Sequence, residues 1–281
     1  MVAQYDSLTV HGQRLECQWL GSPPGNGPSD SPDGPPTLVF LHEGLGCVAL
    51  WRDFPSKLVA ATGLGGFVYS RQGYGGSAPC ELPRPITYMH HEGLHVLPDL
   101  LAAAGIKRAI LVGHSDGASI ALIHAGGTPA PGLAGLILEA PHVFMEDCNA
   151  EAIRALRQTY ETTDLRARMA KYHGDNVDCA FRGWSEPWLG EGFADWNLEE
   201  YLPGISAERN IPTLVIQGAD DEYGTIAQCQ AIEAGINQGR GAAATTLYLP
   251  GCGHAPHLEQ PEATLAAMTA HIQRITRDIS D

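Results

Sequence analysis

The stretch RAILVGHSDGASIALIHAG, residues 108–126, contains the pattern G-x-S-x-G as Gly113-His114-Ser115-Asp116-Gly117. The apolar run RAILV leads into it and the helix-forming ASIALIHAG leads out, so the pattern sits at a strand-to-helix turn. Such a turn holds a serine in a strained backbone conformation with its hydroxyl exposed, and small residues on either side keep neighbouring side chains from clashing. It also aims the N-terminus of the following helix at the reacting centre, where the dipole and the Asp116 N–H favour a developing negative charge. Ser115 is therefore expected to be a nucleophile, and the fold must be one that supports a parallel strand-turn-helix unit.

Outward from this turn, short apolar runs recur at 37–41 (TLVFL), 66–70 (GFVYS), 133–140 (LAGLILEA), 213–218 (TLVIQG) and 245–251 (TTLYLPG). Runs of this length without alternation are expected of strands buried on both faces. Helical patterns at 87–104, 116–126, 225–236 and 261–277 fill the gaps, which predicts an α/β protein with a mostly parallel sheet. Ser7–Val10 and Leu15–Leu20 flank the turn His11-Gly12-Gln13-Arg14, so the chain is expected to open with a β-hairpin. The Pro/Gly/Ser-rich stretch at 22–36 reads as a surface loop. Residues 142–205 break the alternation with helical stretches and a Trp-rich piece, WSEPWLGEGFADW at 184–196. They predict a helical cap inserted into a core made of residues 1–141 and 206–281. Trp184, Trp188 and Trp196 either wall a substrate pocket or pack the cap onto the core.

A serine hydroxyl needs a base, and a base needs an orienting acid. QGADDEYG (217–224) and GCGHAPHLEQP (251–261) follow the last two of these apolar runs and supply both in the order Ser, Asp, His. In these segments, with FLHEGLG (40–46) and YSRQGYGGS (69–77), the chain resembles the α/β-hydrolase fold superfamily over almost its whole length, although Gln72 interrupts the commoner Arg-Gly pairing. The resemblance implies Ser115 as nucleophile, His254 as general base and then acid, and an orienting Asp, which the family's G-x-x-D spacing from Gly218 places at Asp221 with Asp220 as fallback. His257, in the same stretch, is expected to be a helix-start residue or one that supports the site from behind it. The oxyanion would be received by the N–H of Asp116 and one from HEGLG: Gly44 if the match to H-G-x is ungapped, Leu45 if Glu43 is an insertion. The Asp116 carboxylate must point away from that hole, held by neighbouring groups or facing the pocket to select a cation.

A competing motif is His91-Glu92-Gly93-Leu94-His95, which fits H-E-x-x-H. No third ligand follows at a zinc-site spacing, so HHEGLH is expected to be a polar helix face and no metal or other cofactor is implied. Seventeen Lys+Arg against 32 Asp+Glu, a formal net charge of −15, argue against nucleic acid and anionic membrane as partners. Seven scattered cysteines without a C-x-x-C pair, no leader-like N-terminus and no long apolar span lead us to expect a soluble cytoplasmic enzyme. The expected activity is hydrolysis of a small or medium carboxylic ester. Cofactor-free C–C bond cleavage or lactone opening on the same fold is the alternative, and a catalytically silent ligand-binding relative is the competing class.

Overall fold

The computed structural model describes residues 5–21, 34–206, 211–238 and 244–278. Most of the loop expected at 22–36 lies outside them. Eight strands form one sheet: β1 Asp6–Val10, β2 Gln13–Leu20, β3 Thr37–Leu41, β4 Gly66–Tyr69, β5 Ala109–His114, β6 Leu133–Glu139, β7 Thr213–Gly218 and β8 Ala244–Leu249. Their spatial order is β1-β2-β4-β3-β5-β6-β7-β8. The hairpin β1–β2 pairs antiparallel to β4, and every other pairing is parallel. The hairpin turn is tighter than its sequence suggested, with only His11 and Gly12 between the strands, both at positive φ (52° and 76°). Two positive φ values match the right-handed twist of the flanking strands.

The apolar runs are strands because helices cover both faces. β3, β5 and β7 are buried along their whole length. Helices Phe54–Thr62 and Pro261–Asp278 pack against each other over one face. Helices Leu97–Ala103, Asp116–Gly127 and Ile226–Ile236 cover the other. Asp116–Gly127 is buried on nearly all sides, which explains why its sequence carries no amphipathic stripe.

Between β6 and β7 the chain runs through helices Asp147–Thr162, Leu165–His173 and Val177–Trp188, then returns through Leu202–Ser206 against the core helices Asp116–Gly127 and Ile226–Ile236. The entry into this excursion is stitched down. Glu146 closes a capping box with Asn149 and also accepts from the Thr225 N–H (3.0 Å), the Thr225 hydroxyl (2.6 Å) and the Gln228 amide (2.7 Å). All seven cysteines are free. No helix among the described residues is long and apolar enough to cross a membrane.

Candidate active site

Parallel pairing brings the carboxyl ends of β3, β5, β6, β7 and β8 to one edge, and each contributes a loop there. Ser115 follows β5 with φ 52° and ψ −117°, the strained conformation expected of the turn. Its two glycines are required by contact. A Cβ at Gly113 would come within 2.5 Å of the Gly117 carbonyl, and one at Gly117 would overlap the carbonyl of Leu41 on the neighbouring strand. The Ser115 N–H donates to the Glu139 carbonyl (2.9 Å), which fixes the turn against β6.

Asp221 and His254 meet from β7 and β8, with His254 Nδ1 2.9 Å from both carboxylate oxygens. Asp221 is further held by the Gln217 amide and the Tyr223 N–H, each at 2.8 Å. Burial opposes its charge, but His254 and the Tyr223 N–H outweigh it and hold the carboxyl below its ordinary pKa. Asp220 is exposed and makes no such contact. His257 is buried at the start of the helix Pro256–Glu259, paired with Glu139 at 2.7 Å. With His114 these two place ligand-type atoms within 4.8 Å, the one group among the described residues that could hold a metal ion. His91 and His95 do not join such a group: their rings lie 5.5 Å apart on the exposed side of a π-helical turn, Glu92–Val96, while Glu92 is buried on the other.

Ser115 and His254 open into one cavity of about 140 Å³, lined also by Gly44, Leu45, Trp184 and Trp188. Trp184 and Trp188 stand four apart on one helix and so share a face. Trp196, expected beside them, is not a wall of the cavity. It is buried behind Trp188 (ring centroids 5.4 Å) and stacked on Phe193 (5.1 Å), so it packs the chain between β6 and β7. Five further lining residues were not anticipated from sequence: Glu43, His142, Asn149, Ile153 and Tyr223. Among the described residues no lysine or arginine lines the cavity.

The Asp116 side chain faces away from the cavity. It is fully buried, accepts from the Tyr88 hydroxyl (2.5 Å) and lies 3.9 Å from the buried Arg71 guanidinium, while Trp188 Nε1–H donates to Tyr88 at 3.0 Å. The possibility of cation selection by Asp116 is thereby removed, because the carboxylate is enclosed by protein. Arg71 also reaches under the turn after β3, donating to the carbonyls of His42 (2.5 Å) and Glu43 (3.0 Å). Its signal in the sequence is the arginine of the R-x-G-x-G-x-S turn.

The profile of the Alpha/beta hydrolase family matches residues 38–267. The chain belongs to this family. A curated relative, 2-succinyl-6-hydroxy-2,4-cyclohexadiene-1-carboxylate synthase of Enterobacter sp. (strain 638), is 26% identical over 266 residues, covering 88% of this chain and 95% of the synthase. The same fold is seen in the enol-lactonase of Burkholderia xenovorans LB400 (TM-score 0.65, 20% identity, 95% and 100% of the two chains). It is seen again in esterase RhEst1 of Rhodococcus sp. ECU1013 (TM-score 0.66, 18% identity, 96% and 98%). In this α/β hydrolase, His114 joins three parts of the site. It precedes Ser115, its Nε2 donates to the His254 carbonyl (2.7 Å), and its Nδ1 lies 3.8 Å from the Glu43 carboxylate.

Burial opposes a charge on His114, but Glu43 outweighs it and raises the pKa to about 9. A group whose pKa is raised by folding contributes stability that is complete below its unfolded value, about 6.5, and is lost as pH rises through its folded value. Stability should therefore fall as pH rises from about 6.5 toward 9. His114→Gln retains a donor for the His254 carbonyl and removes the charge, so urea unfolding across this range should show a flatter slope for the variant. An unchanged slope would mean that another group titrates there.

Proposed function

We propose that this α/β hydrolase is a serine hydrolase that cleaves a small or medium carboxylic ester through an acyl-enzyme intermediate. The observation that carries the proposal is that Ser115, at φ 52°, opens into the same cavity as His254, whose other ring nitrogen is held by the buried Asp221 carboxylate. In this reading His254 Nε2 takes the Ser115 hydroxyl proton as Oγ attacks the ester carbonyl, and the imidazolium is stabilised by Asp221. The tetrahedral intermediate collapses as His254 gives the proton to the leaving alcohol. Water, deprotonated by the same nitrogen, then releases the acid and restores Ser115.

The second oxyanion donor is assigned to Gly44. The Glu43 carbonyl is drawn to one side by Arg71 (3.0 Å), His42 Nδ1 (2.7 Å) and the Gly46 N–H (3.1 Å). In a planar trans peptide the following N–H, that of Gly44, points the opposite way. Glu43 thus replaces the usual glycine without an insertion. A Cβ at Gly44 would overlap the Trp184 ring. Gly44→Ala is accordingly expected to displace the donor and cut kcat by about 10²-fold or more. Adding Trp184→Leu should return part of it, and a Gly44→Ala enzyme with native kcat would move the donor to Leu45.

The absence of lysine and arginine from the cavity wall favours a neutral ester over the carboxylate-bearing product for which the synthase relative is named. An internal ester, a lactone, would use the same steps, as the enol-lactonase neighbour makes conceivable on fold grounds alone. The test is hydrolysis of short-chain p-nitrophenyl esters and lactones, with a fluorophosphonate titrated against active sites. Turnover abolished by one equivalent of label on Ser115 is expected. Label on Ser115 with no turnover of any ester or lactone would set the proposal aside.

A further inference from the structure

His142 follows β6 and lies in the cavity wall beside the catalytic histidine, with its ring centroid 5.7 Å from that of His254 and 5.4 Å from that of Trp188. The Ser119 hydroxyl donates to its carbonyl at 2.6 Å, so the backbone is anchored to the helix behind Ser115. The residue is only 3% exposed, and the steps above make no use of its ring.

Its neighbours settle which ring nitrogen carries the proton. Asn149 Oδ1 accepts from the Glu146 N–H (2.6 Å) as half of the capping box, so the amide cannot be turned the other way without losing that bond. Asn149 Nδ2 therefore faces the Tyr223 carbonyl and His142 Nδ1, the latter at 3.4 Å. An amide NH₂ only donates, so Nδ1 is the lone-pair nitrogen and the proton of the neutral ring is on Nε2. The Nδ1–Cε1 edge also faces Gly224, where an added Cβ would lie 3.2 Å and 3.0 Å from these two atoms. Nε2, the next ring atom beyond Cε1, has no acceptor among the described residues and is not one of the enclosed unpaired polar atoms, so it reaches the cavity that His142 lines. Burial and the neighbouring His254 pull the His142 pKa down to about 3, so the ring stays neutral wherever His254 can act as a base.

Resting on the ester-hydrolase reading, we propose that His142 is a specificity-determining residue whose Nε2–H binds a second acceptor oxygen of the substrate, an ether or keto oxygen near the scissile ester group. Asn149 acts through it as a positioning residue. The substrate class is then an oxygenated neutral ester, held between the Trp184 and Trp188 rings with one polar anchor. This matches a largely apolar wall with no lysine or arginine among the described residues, in which His142 places a neutral donor beside His254.

Isosteric pairs test this. Methoxyacetate and butyrate esters differ in the acyl part by an oxygen for a CH₂, and 2-methoxyethyl and butyl esters differ likewise in the alcohol part. His142→Phe keeps a ring and removes the donor. In at least one pair it should reduce the preference for the oxygenated member, measured as a ratio of kcat/KM, by about tenfold relative to wild type. His142→Gln, which restores a neutral donor, should recover most of the preference. Because each ratio comes from a single preparation, partial misfolding of a variant does not affect it. Equal losses on both members of both pairs, with esters still hydrolysed, would overturn the role of His142 alone. Failure of the wild type to hydrolyse any of the four would overturn the ester reading beneath it.

Discussion

Replacing Ser115 or His254 by alanine is expected to lower kcat by about 10⁴-fold or more, with KM little changed. The size follows from the division of labour in the cavity. On the proposed mechanism no acyl-enzyme can form without Ser115, and without His254 the hydroxyl must lose its proton to water while the leaving alcohol goes unprotonated. The neighbouring imidazoles cannot substitute. His142 turns a protonated Nε2 to the cavity and stays neutral, His114 gives its Nε2 proton to the His254 carbonyl, and His257 is paired with Glu139. The two alanine variants should also be non-additive, the double mutant being about as slow as either single one, since they act as a unit. Single-turnover kinetics on a p-nitrophenyl ester would measure this. A His254→Ala enzyme with near-native acylation would place the base elsewhere.

Asp221→Asn should cost about 10⁴-fold in kcat, against a change within a few-fold for Asp220→Asn. Both Asp221 oxygens stand 2.9 Å from His254 Nδ1, and the side chain is 1% exposed. An asparagine there can present its NH₂ to Nδ1, which would force the proton onto Nε2 and leave no lone pair to accept the serine proton. That is the arrangement Asn149 already imposes on His142, so the site contains one histidine oriented by a carboxylate and another oriented by an amide. Asp220 gives its backbone N–H to the Cys252 carbonyl and leaves its side chain in solvent, so a neutral replacement changes little. The reverse ranking would transfer the acid to Asp220.

The parts legible in the sequence are those fixed by short-range geometry. The G-x-S-x-G turn could be read because Gly113 and Gly117 each meet backbone within a few ångströms, leaving glycine no substitute. Asp221 and His254 could be read because each follows its strand by a few residues, and a parallel sheet aligns those ends. What stayed hidden depends on contacts made across long stretches of chain. The direction of Asp116 is set by Tyr88, Trp188 and Arg71, which arrive from three separate segments. The proton of His142 is set by Asn149 seven residues later, after the chain has turned into the cap. Trp196 could have been separated from Trp184 and Trp188 by the i, i+4 spacing of the latter pair, which a broken stretch such as LGEGFAD prevents it from sharing.

The double attachment of Glu146 bears on where one structural module ends and another begins. Its carboxylate completes the first turn of the cap helix Asp147–Thr162 and at the same time receives the Thr225 N–H and hydroxyl at the start of the core helix Ile226–Ile236. The sequence boundary at residue 142 therefore cuts through a shared joint. A chimaera exchanging residues 142–205 with a homologue would remove His142, Glu146 and Asn149 together and leave Thr225 and Gln228 of the core without their partner, even if the new segment folded well. A junction placed after Asn149 would transplant the Trp184 and Trp188 walls and leave the joint, with the His142 it orients, in native surroundings.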